Sequence, residues 1–596
     1  MKGNNIFTRV PVQRPKRNVF DLSFENRFSC KMGDLIPFLC KPVVPGDTFK
    51  VNSEIFIRTA PLVSPMFQKI NVYTHYFYVP NRLLMEKWEQ FISPHGTKDN
   101  PEPTELQLPA LSGLINPDDN DGPGIPLSLF GDNVKKVSSD LLIGNLFDFL
   151  GYKFQDASLG MNLLPQSILP INAYNLIYQC YYQDQNVGIS KTIDDPVLLD
   201  KDEIVDLDFA TTARDYEAAS GESIRSYFNL RRRCWKKDYF TSALPFTQRG
   251  QDVHVPLYGS ANLVGTGFAL TENTGTWGTP AGTPSPAGTF DLKVHNDPGS
   301  NAYSTEFSLG DTTHLLSHNH GILGEELAKT VDVDLSSVTA ATVNELRRAI
   351  QLQKYLEISA RVGGRYKEFV FGHFGVDIND GRLQRPEYLG GGVAPLKIGD
   401  VFQTSSTVTQ GQDTFALGEL AGRGMSYGNQ QGFKHTFPEH GYIIGIMSLQ
   451  PEAAYYQGIP RDLLKMDRLD FYTPEFAHLG EQPIYDSELF VDITKSSSEL
   501  MNTFGYTPRY SEYKNSLGEI HGTFKSSLDT WHDARKFGEQ PTLSQLFLQV
   551  NEHYDGLNRV FAVPGTEQNP VEHFYCYVQH HIKALRPMPV FGIPQF

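Results

Sequence analysis

The sequence predicts a mainly β protein on three observations: a composition rich in aromatics, glycine and proline, apolar residues that recur at every second position, and helical segments that punctuate the strands without alternating with them. The chain of 596 residues holds 39 Phe, 28 Tyr, 51 Gly and 38 Pro. Aromatic side chains suit a pleated, half-buried surface, and Gly and Pro make the turns between strands. Hydrophobic residues at 40% and charged residues at 20% give a globular balance that leans apolar, so a large core is expected and disorder is not. Length alone permits several domains, although an all-β unit can run well beyond the usual domain size.

The first 17 residues carry Lys2, Arg9, Arg14, Lys16 and Arg17 with no acid and two prolines, which suits an extended arm that touches phosphates or a neighbouring chain. From Thr48, TFKVNSEIFIRT puts Phe49, Val51, Ile55 and Ile57 on one face and Lys50, Asn52, Glu54 and Arg58 on the other, a half-buried strand. VYTHYFYV at 72 to 79 has aromatics on both faces, so one face meets a core and the other a second layer or another subunit. In RLLMEKWEQFI, Leu84, Trp88 and Phe91 recur at helical spacing and predict a short amphipathic helix. The stretch from 95 to 135 is dense in turn signals and reads as a long surface loop. Its acidic tip, Asp118, Asp119 and Asp121, lacks the first and last ligands of a calcium loop, since Pro117 and Ser128 stand there.

Gly265 to Phe290 is the sharpest shift in composition: sixteen of its 26 residues are Gly, Thr or Pro and only Glu272 is charged. With so few large apolar side chains it is expected as an exposed excursion on a scaffold. Thr342 and Glu345 then form a capping box, each satisfying a free backbone N–H. The helix they open is expected to turn Leu346, Ile350, Leu352 and Leu356 toward a core and to stop at Gly363-Gly364. Strands return in KEFVFGHFGV and in GYIIGIMSLQP, the latter apolar enough to be buried on both faces.

The formal charge of −16 excludes a surface that is basic throughout, so contact with nucleic acid has to be local. RRRCWKKDYF is the strongest candidate: Arg231, Arg232, Arg233, Lys236 and Lys237 surround Trp235 and Tyr239, a mixture that suits phosphates and unpaired bases but equally a subunit contact. Cys30, Cys40, Cys180, Cys234 and Cys576 are odd in number and widely spaced, which indicates buried thiols made in a reducing cytoplasm and no disulfide framework or zinc site. No apolar signal segment opens the chain, and no apolar run approaches the roughly 18 residues of a membrane span.

Catalytic motifs are missing: there is no GxSxG, HExxH, P-loop or dinucleotide fingerprint. His314, His318 and His320 lack a Cys or acid at ligand spacing and read as loop histidines. No cofactor, metal or catalytic residue is expected. The rival reading is a carbohydrate-binding or carbohydrate-active protein on a jelly-roll scaffold, which fold alone does not exclude.

Several ordered blocks carry a family resemblance. RNVFDLSFENRFSCKMGDLIPFLCKPVVPGDTFKVNSEIFIRTAPLVSPMF and YFYVPNRLLMEKWEQF open it, and KKDYFTSALPFTQRG, LRRAIQLQKYLEISARVGGRYKEFVFGHFGV and RLQRPEYLGG continue it. EHGYIIGIMSLQPEAAYYQGIPRDL, LGEQPI and FGYTPRYSEYKN follow in order. Together they resemble the major capsid proteins of the Microviridae, particularly the gokushovirus-like branches. The resemblance implies a single eight-stranded antiparallel jelly roll with long interstrand insertions and a few short helices. It further implies sixty copies in a T=1 shell around a circular single-stranded DNA genome, in a virion assembled in the host cytoplasm.

On that template the chain divides into an extended basic arm (1–27), the first part of the jelly roll with its loops (28–250), a surface insertion at the threefold axes (251–341), a helix with the remaining strands (342–586) and an extended C-terminal strap (587–596). Expected DNA contacts are Arg14, Lys16, Arg17 and the basic residues from Arg231 to Lys237 named above. Thr276, Trp277, Thr279 and Thr283 stand for the host-facing insertion. Expected partners are further copies of the chain, the genome, minor phage proteins (pilot, internal scaffolding and DNA-binding) and a host-cell receptor, without membrane insertion.

Overall fold

The computed structural model describes residues 16–92, 144–152, 166–187, 227–250, 343–362, 379–402 apart from 383, 420–566 and 571–591, with short pieces elsewhere in the chain. Its dominant feature is one curled antiparallel sheet, a half-barrel. The strands are β1 (Asn18–Asp21), β2 (Phe24–Cys30), β3 (Ile36–Val43), β4 (Thr48–Thr59), β5 (Ile70–Pro80), β6 (Glu387–Phe402), β7 (Leu420–Thr436), β8 (Gly441–Pro451) and, at the C-terminal end, β11 (Phe574–Arg586). A separate pair, β9 (Glu481–Tyr485) and β10 (Thr503–Pro508), lies outside it. The order across the sheet is β1-β11-β4-β7-β6-β5-β8-β3, and β2 joins β11 along the same edge as β1. β6 carries the sheet round its bend: Glu387–Leu396 pairs with β5 and Lys397–Phe402 with β7.

Alternation dictates the inside of the curl. Phe49, Val51, Ile55 and Ile57 of β4 point inward as their spacing predicts, and meet Tyr76 and Tyr78 of β5, Ile443 and Met447 of β8, and Val578 and Ile582 of β11. Full burial of such a side chain is worth about 1.5–3 kcal/mol. A polar chain runs through this core: Tyr76 Oη donates to Ser53 Oγ at 2.7 Å, Ser53 Oγ meets His580 Nδ1 at 2.9 Å, and His580 Nε2 lies 3.2 Å from the Phe38 carbonyl. Four strands from both arms of the curl are thereby joined. Burial pushes His580 down to about 4, so the ring is neutral near pH 7.

β5 and β8 are buried on both faces. Outside the curl, Phe77, Val79, Ile444 and Ile446 pack under α3 (Leu169–Ile177), which continues into a wider turn at Tyr178–Tyr182. Leu146 and Phe147, from the short α2 (Leu146–Leu150), and Tyr227 and Phe228 complete that layer. A third cluster, with Phe240, Tyr455, Ile484, Phe504, Phe537 and Phe547, gathers the loops around β9 and β10. The segment expected as a short helix forms a tight turn at Asn81–Leu83 followed by α1 (Trp88–Ile92), with Leu84 buried.

Two expectations change. The arm expected over 1–27 is, from Asn18 onward, hydrogen-bonded strand: Asn18–Asp21 pairs with Lys583–Arg586 and Phe24–Cys30 with Phe574–His580. Period-two residues such as Phe24 and Phe28 tie it to the sheet, whereas the charge count reported only its first 17 residues. α4 (Val343–Val362) forms where the capping box placed it, but Leu346, Ile350 and Leu352 are exposed. Helical periodicity says which side chains share a face and not what covers that face.

The chain divides into two compact units, Met1–Arg249 with Glu357–Phe596, and Gly250–Leu356. The smaller unit contains a four-stranded antiparallel meander, Phe268–Glu272, Thr289–Val294, Ser304–Gly310 and His314–Ser317, and a two-stranded pair, Asn262–Val264 with Asp332–Asp334.

The β7 register shifts between Gln430 and Phe433, and a Cβ on Gly432 would collide with the Val51 carbonyl and come within 2.9 Å of Asn52 Cα. Backbone cannot yield as a side-chain tip does. Gly432→Ala is therefore expected to destabilise the chain by about 1–3 kcal/mol, read as a lower urea midpoint.

Candidate functional site

Residues 231–235 run as an added strand between two loops. Leu35 N donates to the Arg231 carbonyl at 2.9 Å, Arg233 N to Gly33 at 2.7 Å, Trp235 N to Leu548 at 2.8 Å and Val550 N to Arg233 at 2.9 Å. This stitching sets the side chains of the basic cluster apart. Arg231 is buried, its Nε donating to Asn175 Oδ1 at 3.2 Å and its guanidinium 4.8 Å from the Tyr178 ring. Arg233 donates to Gln450 Oε1 and Ser448 Oγ and stacks on Tyr73 at 4.0 Å. It borders a cleft of about 410 Å³ lined by His75, Tyr181, Tyr182 and Tyr388. Arg232 is half-buried beside Asp34, whose carboxyl burial pushes up to about 6 against the pull of Arg232 and Lys31.

Trp235 is buried and donates to Asp555 Oδ2 at 3.2 Å. Asp555 in turn pairs at 2.7 Å with Arg535, which has no exposed side-chain surface and lies 4.2 Å from the Phe547 ring. Breaking a buried pair of this kind typically costs about 3–5 kcal/mol, so the Trp235 end of the motif holds the fold. Lys237 is exposed but bonds Asp184 at 2.6 Å and the Thr241 carbonyl at 2.9 Å. Lys236 is exposed and forms no such tie among the described residues. Lys16 and Arg17 are exposed, while Arg14 lies outside the described residues, as do Thr276, Trp277, Thr279 and Thr283.

A second surface had no signal in the sequence reading. Between β8 and β9 the chain makes three single turns, Arg461–Leu463, Arg468–Asp470 and Pro474–Phe476. Its polar groups are used internally: Asp467 and Asp470 cap the middle turn, Arg461 pairs with Glu488 at 2.7 Å, and Arg509 Nη2 and Tyr510 Oη both donate to the Leu469 carbonyl. The shape is fixed, yet Leu463, Leu469, Phe471 and Tyr472 are exposed, with Met466 at 84% and Ile493 further on at 93%. Apolar side chains gathered on a fixed backbone make this stretch a candidate interaction surface. LLKMDRLDFYTPEF has no helical or strand period, which is why pattern reading passed over it.

Among the described residues no group of His, Cys, Asp or Glu is arranged to hold a metal, and no helix is long and apolar enough to cross a membrane. The acidic tip at Asp118–Asp121, and His318 and His320, lie outside those residues. All five cysteines are free thiols, and burial pushes Cys40 up to about 12.

Asp533 is fully buried with neither carboxylate oxygen hydrogen-bonded, because Arg559 Nη2 gives its bonds to the His532 and Ala534 carbonyls on either side. Burial pushes Asp533 up to about 8 despite the Arg559 charge. The unfolded carboxyl ionises near 4, so between roughly pH 4 and 8 the folded chain holds a proton that the unfolded chain has lost. This group's contribution to stability therefore falls as pH rises through that window. Asp533→Asn is expected to remove that part of the slope and to raise the melting temperature more at pH 8 than at pH 5, checked by thermal scans at both.

The cluster also gives a test of its division. Arg231→Glu places an anion in a buried site and is expected to abolish soluble folded protein. Lys236→Glu is expected to leave stability within about 0.5 kcal/mol, both read by denaturant titration.

The chain matches the family model described as "Capsid protein (F protein)" over residues 8–119 and 144–596. It is 31% identical to capsid protein VP1 of Chlamydia phage 1, across 99% of this chain and 97% of the relative. To capsid protein VP1 of Bdellovibrio phage phiMH2K it is 32% identical with the same coverage, and to that of Spiroplasma virus 4 it is 27% identical across 100% and 96%. A structural role fits a fixed apolar surface and a basic motif given over largely to internal ties. By these matches along its whole length, the chain belongs to the capsid protein (F protein) family: it is a Microviridae major capsid protein, a structural component of the virion and not an enzyme.

Proposed function

We propose that sixty copies of this chain close into a T=1 icosahedral shell around a circular single-stranded DNA genome, in a particle assembled in the host cytoplasm. The observation that carries this is the set of exposed apolar side chains at Leu463, Met466, Leu469, Phe471 and Tyr472, on turns held in shape by their own polar groups, with Ile493 exposed further along the chain. A closed shell needs such lateral surface, since obligate contacts commonly bury more than about 2,000 Å².

The strand order supports a jelly-roll reading of the sheet. β2-β11-β4-β7 and β3-β8-β5-β6 are two four-stranded runs, and the chain visits them in the interleaved sequence of two Greek keys, with β6 and β7 as the hairpin that bridges them. On this reading the shell wall is the eight-stranded jelly roll, and the insertion at 251–341, including Thr276, Trp277, Thr279 and Thr283, turns outward to a host-cell receptor. Arg14, Lys16 and Arg17 with Arg232, Lys236 and Lys237 are proposed to neutralise genome phosphates, while the buried Arg231 and the half-buried Arg233 hold the motif in place. Pilot, internal scaffolding and DNA-binding proteins are the further partners.

The test is a pair of substitutions on the apolar surface. Met466→Asp with Ile493→Asp is expected to leave the melting temperature of the single chain unchanged, since neither side chain is buried. Particles seen by electron microscopy should be lost and the protein should sediment as small species. Normal yields of closed particles from the double variant would remove this surface from the account.

A further inference from the structure

On its outer side the run β2-β11-β4-β7 is exposed, and the register lines up residues that sequence spacing keeps far apart. Arg27, Tyr577, Phe56 and Tyr427 stand at one level across four neighbouring strands. Strands lie about 4.8 Å apart, so this is a continuous row of three rings ending in a guanidinium. Arg27 sits 5.2 Å from the Tyr577 ring, and Tyr427 is 73% exposed. The next level in reads Tyr575, Arg58, Met425 and Lys397, with Arg58 also 5.0 Å from the Phe56 ring.

Six residues along β4 from Phe56, or about 20 Å, Lys583, Lys50 and Lys434 face one another on three adjacent strands. Like charges directly opposite in a sheet are destabilising. None of these three lysines, nor Arg58, Arg423 or Lys397, forms a salt bridge among the described residues. The acids on the face are Asp21, Glu25 and Glu54; Asp21 stands opposite Lys583, Glu25 pairs with Arg27, and Glu54 lies 3.5 Å from His581. A chain of net charge −16 thus keeps a ring-bearing sheet face on which Lys50, Lys434, Arg58, Arg423 and Lys397 form no salt bridge among the described residues.

We propose that this face is a stacking platform for the unpaired bases of a single-stranded nucleic acid, its phosphates held by the lysine row and by Arg58, Arg423 and Lys397. Rings on a sheet offer their faces to bases of any identity, and cations between them track the backbone; a duplex, whose bases are already stacked, gains little from such rings. A protein partner fits less well, because interface cores are depleted in Lys, and this face concentrates it. The platform rests on the capsid reading for the identity of its strand, the genome, and adds base stacking to the phosphate contacts proposed for Arg232, Lys236 and Lys237. A planar contact of many weak, base-tolerant stacks suits a shell that holds a long strand without reading its sequence.

The experiment is anisotropy of fluorescein-labelled (dT)20 titrated with the full-length chain at low salt. Variants are Tyr427→Ala with Tyr577→Ala, the ring-preserving Tyr427→Phe with Tyr577→Phe, and Lys50→Ala with Lys434→Ala. The alanine pair at the tyrosines is expected to weaken binding by about tenfold or more, the phenylalanine pair to stay within about twofold, and the lysine pair to flatten the salt dependence. A duplex of the same length should bind more weakly than (dT)20. Absence of binding by the unsubstituted chain, or unchanged binding by the tyrosine-to-alanine pair, overturns the platform. Loss of particle assembly by that pair with oligonucleotide binding intact also overturns it, and assigns the face to a protein neighbour. Genome-filled particles from a chain that fails to bind (dT)20 would sink the platform while leaving the capsid reading in place.

Discussion

The sheet is completed by its last strand. β11 lies between β2 and β4, so the N-terminal strands have no partner until residues 574–586 are in place. His580 fixes that closure: it stacks 4.7 Å from Phe24, sits 5.3 Å from Phe38, and carries the hydrogen-bond chain through Ser53 to Tyr76. One neutral imidazole thus connects the arm of the curl that holds the chain ends with the arm that carries β3 and β5. Buried polar chains of this type are costly if any member is missing, and so favour a single register of the strands they join. Everything outside the curl depends on that register, since a shift by one residue on β5 would exchange Tyr76 and Tyr78 for Phe77 and Val79.

Period and composition made much of this legible. The inward set on β4 and the two-faced burial of β5 and β8 follow from residue order alone, because a strand's period of two assigns each side chain to a face. α3 was not legible. LPINAYNLIYQCYY buries nearly every residue, so it shows no amphipathic period, and its asparagines are satisfied by partners distant in the chain, such as the Tyr227 carbonyl at 2.8 Å from Asn175 Nδ2. The pairing of the first strands with the last was equally invisible, since it joins residues more than 500 apart.

The candidate surfaces were legible only in part. RRRCWKKDYF was correctly picked out as charged and aromatic, but a string of cations does not say which are buried. Backbone bonds to residues 33–35 and 548–550 turn Arg231 and Arg233 inward and leave Lys236 outward. The opposite failure affects the sheet face. Arg27, Lys50, Phe56, Tyr427 and Tyr577 look unremarkable on their own strands, and only the register gathers them. The apolar turns after β8 escaped because their order comes from caps and carbonyl contacts, which have no period to detect.

The central claim is that this chain builds a closed shell by itself binding its own copies, and particle mass tests it most directly. Native mass spectrometry of particles formed by the full-length protein, freed of nucleic acid, is predicted to give sixty times the 66.9 kDa chain mass. A protein that remains a monomer or a small oligomer under all assembly conditions, or particles with a different fixed copy number, would contradict the account.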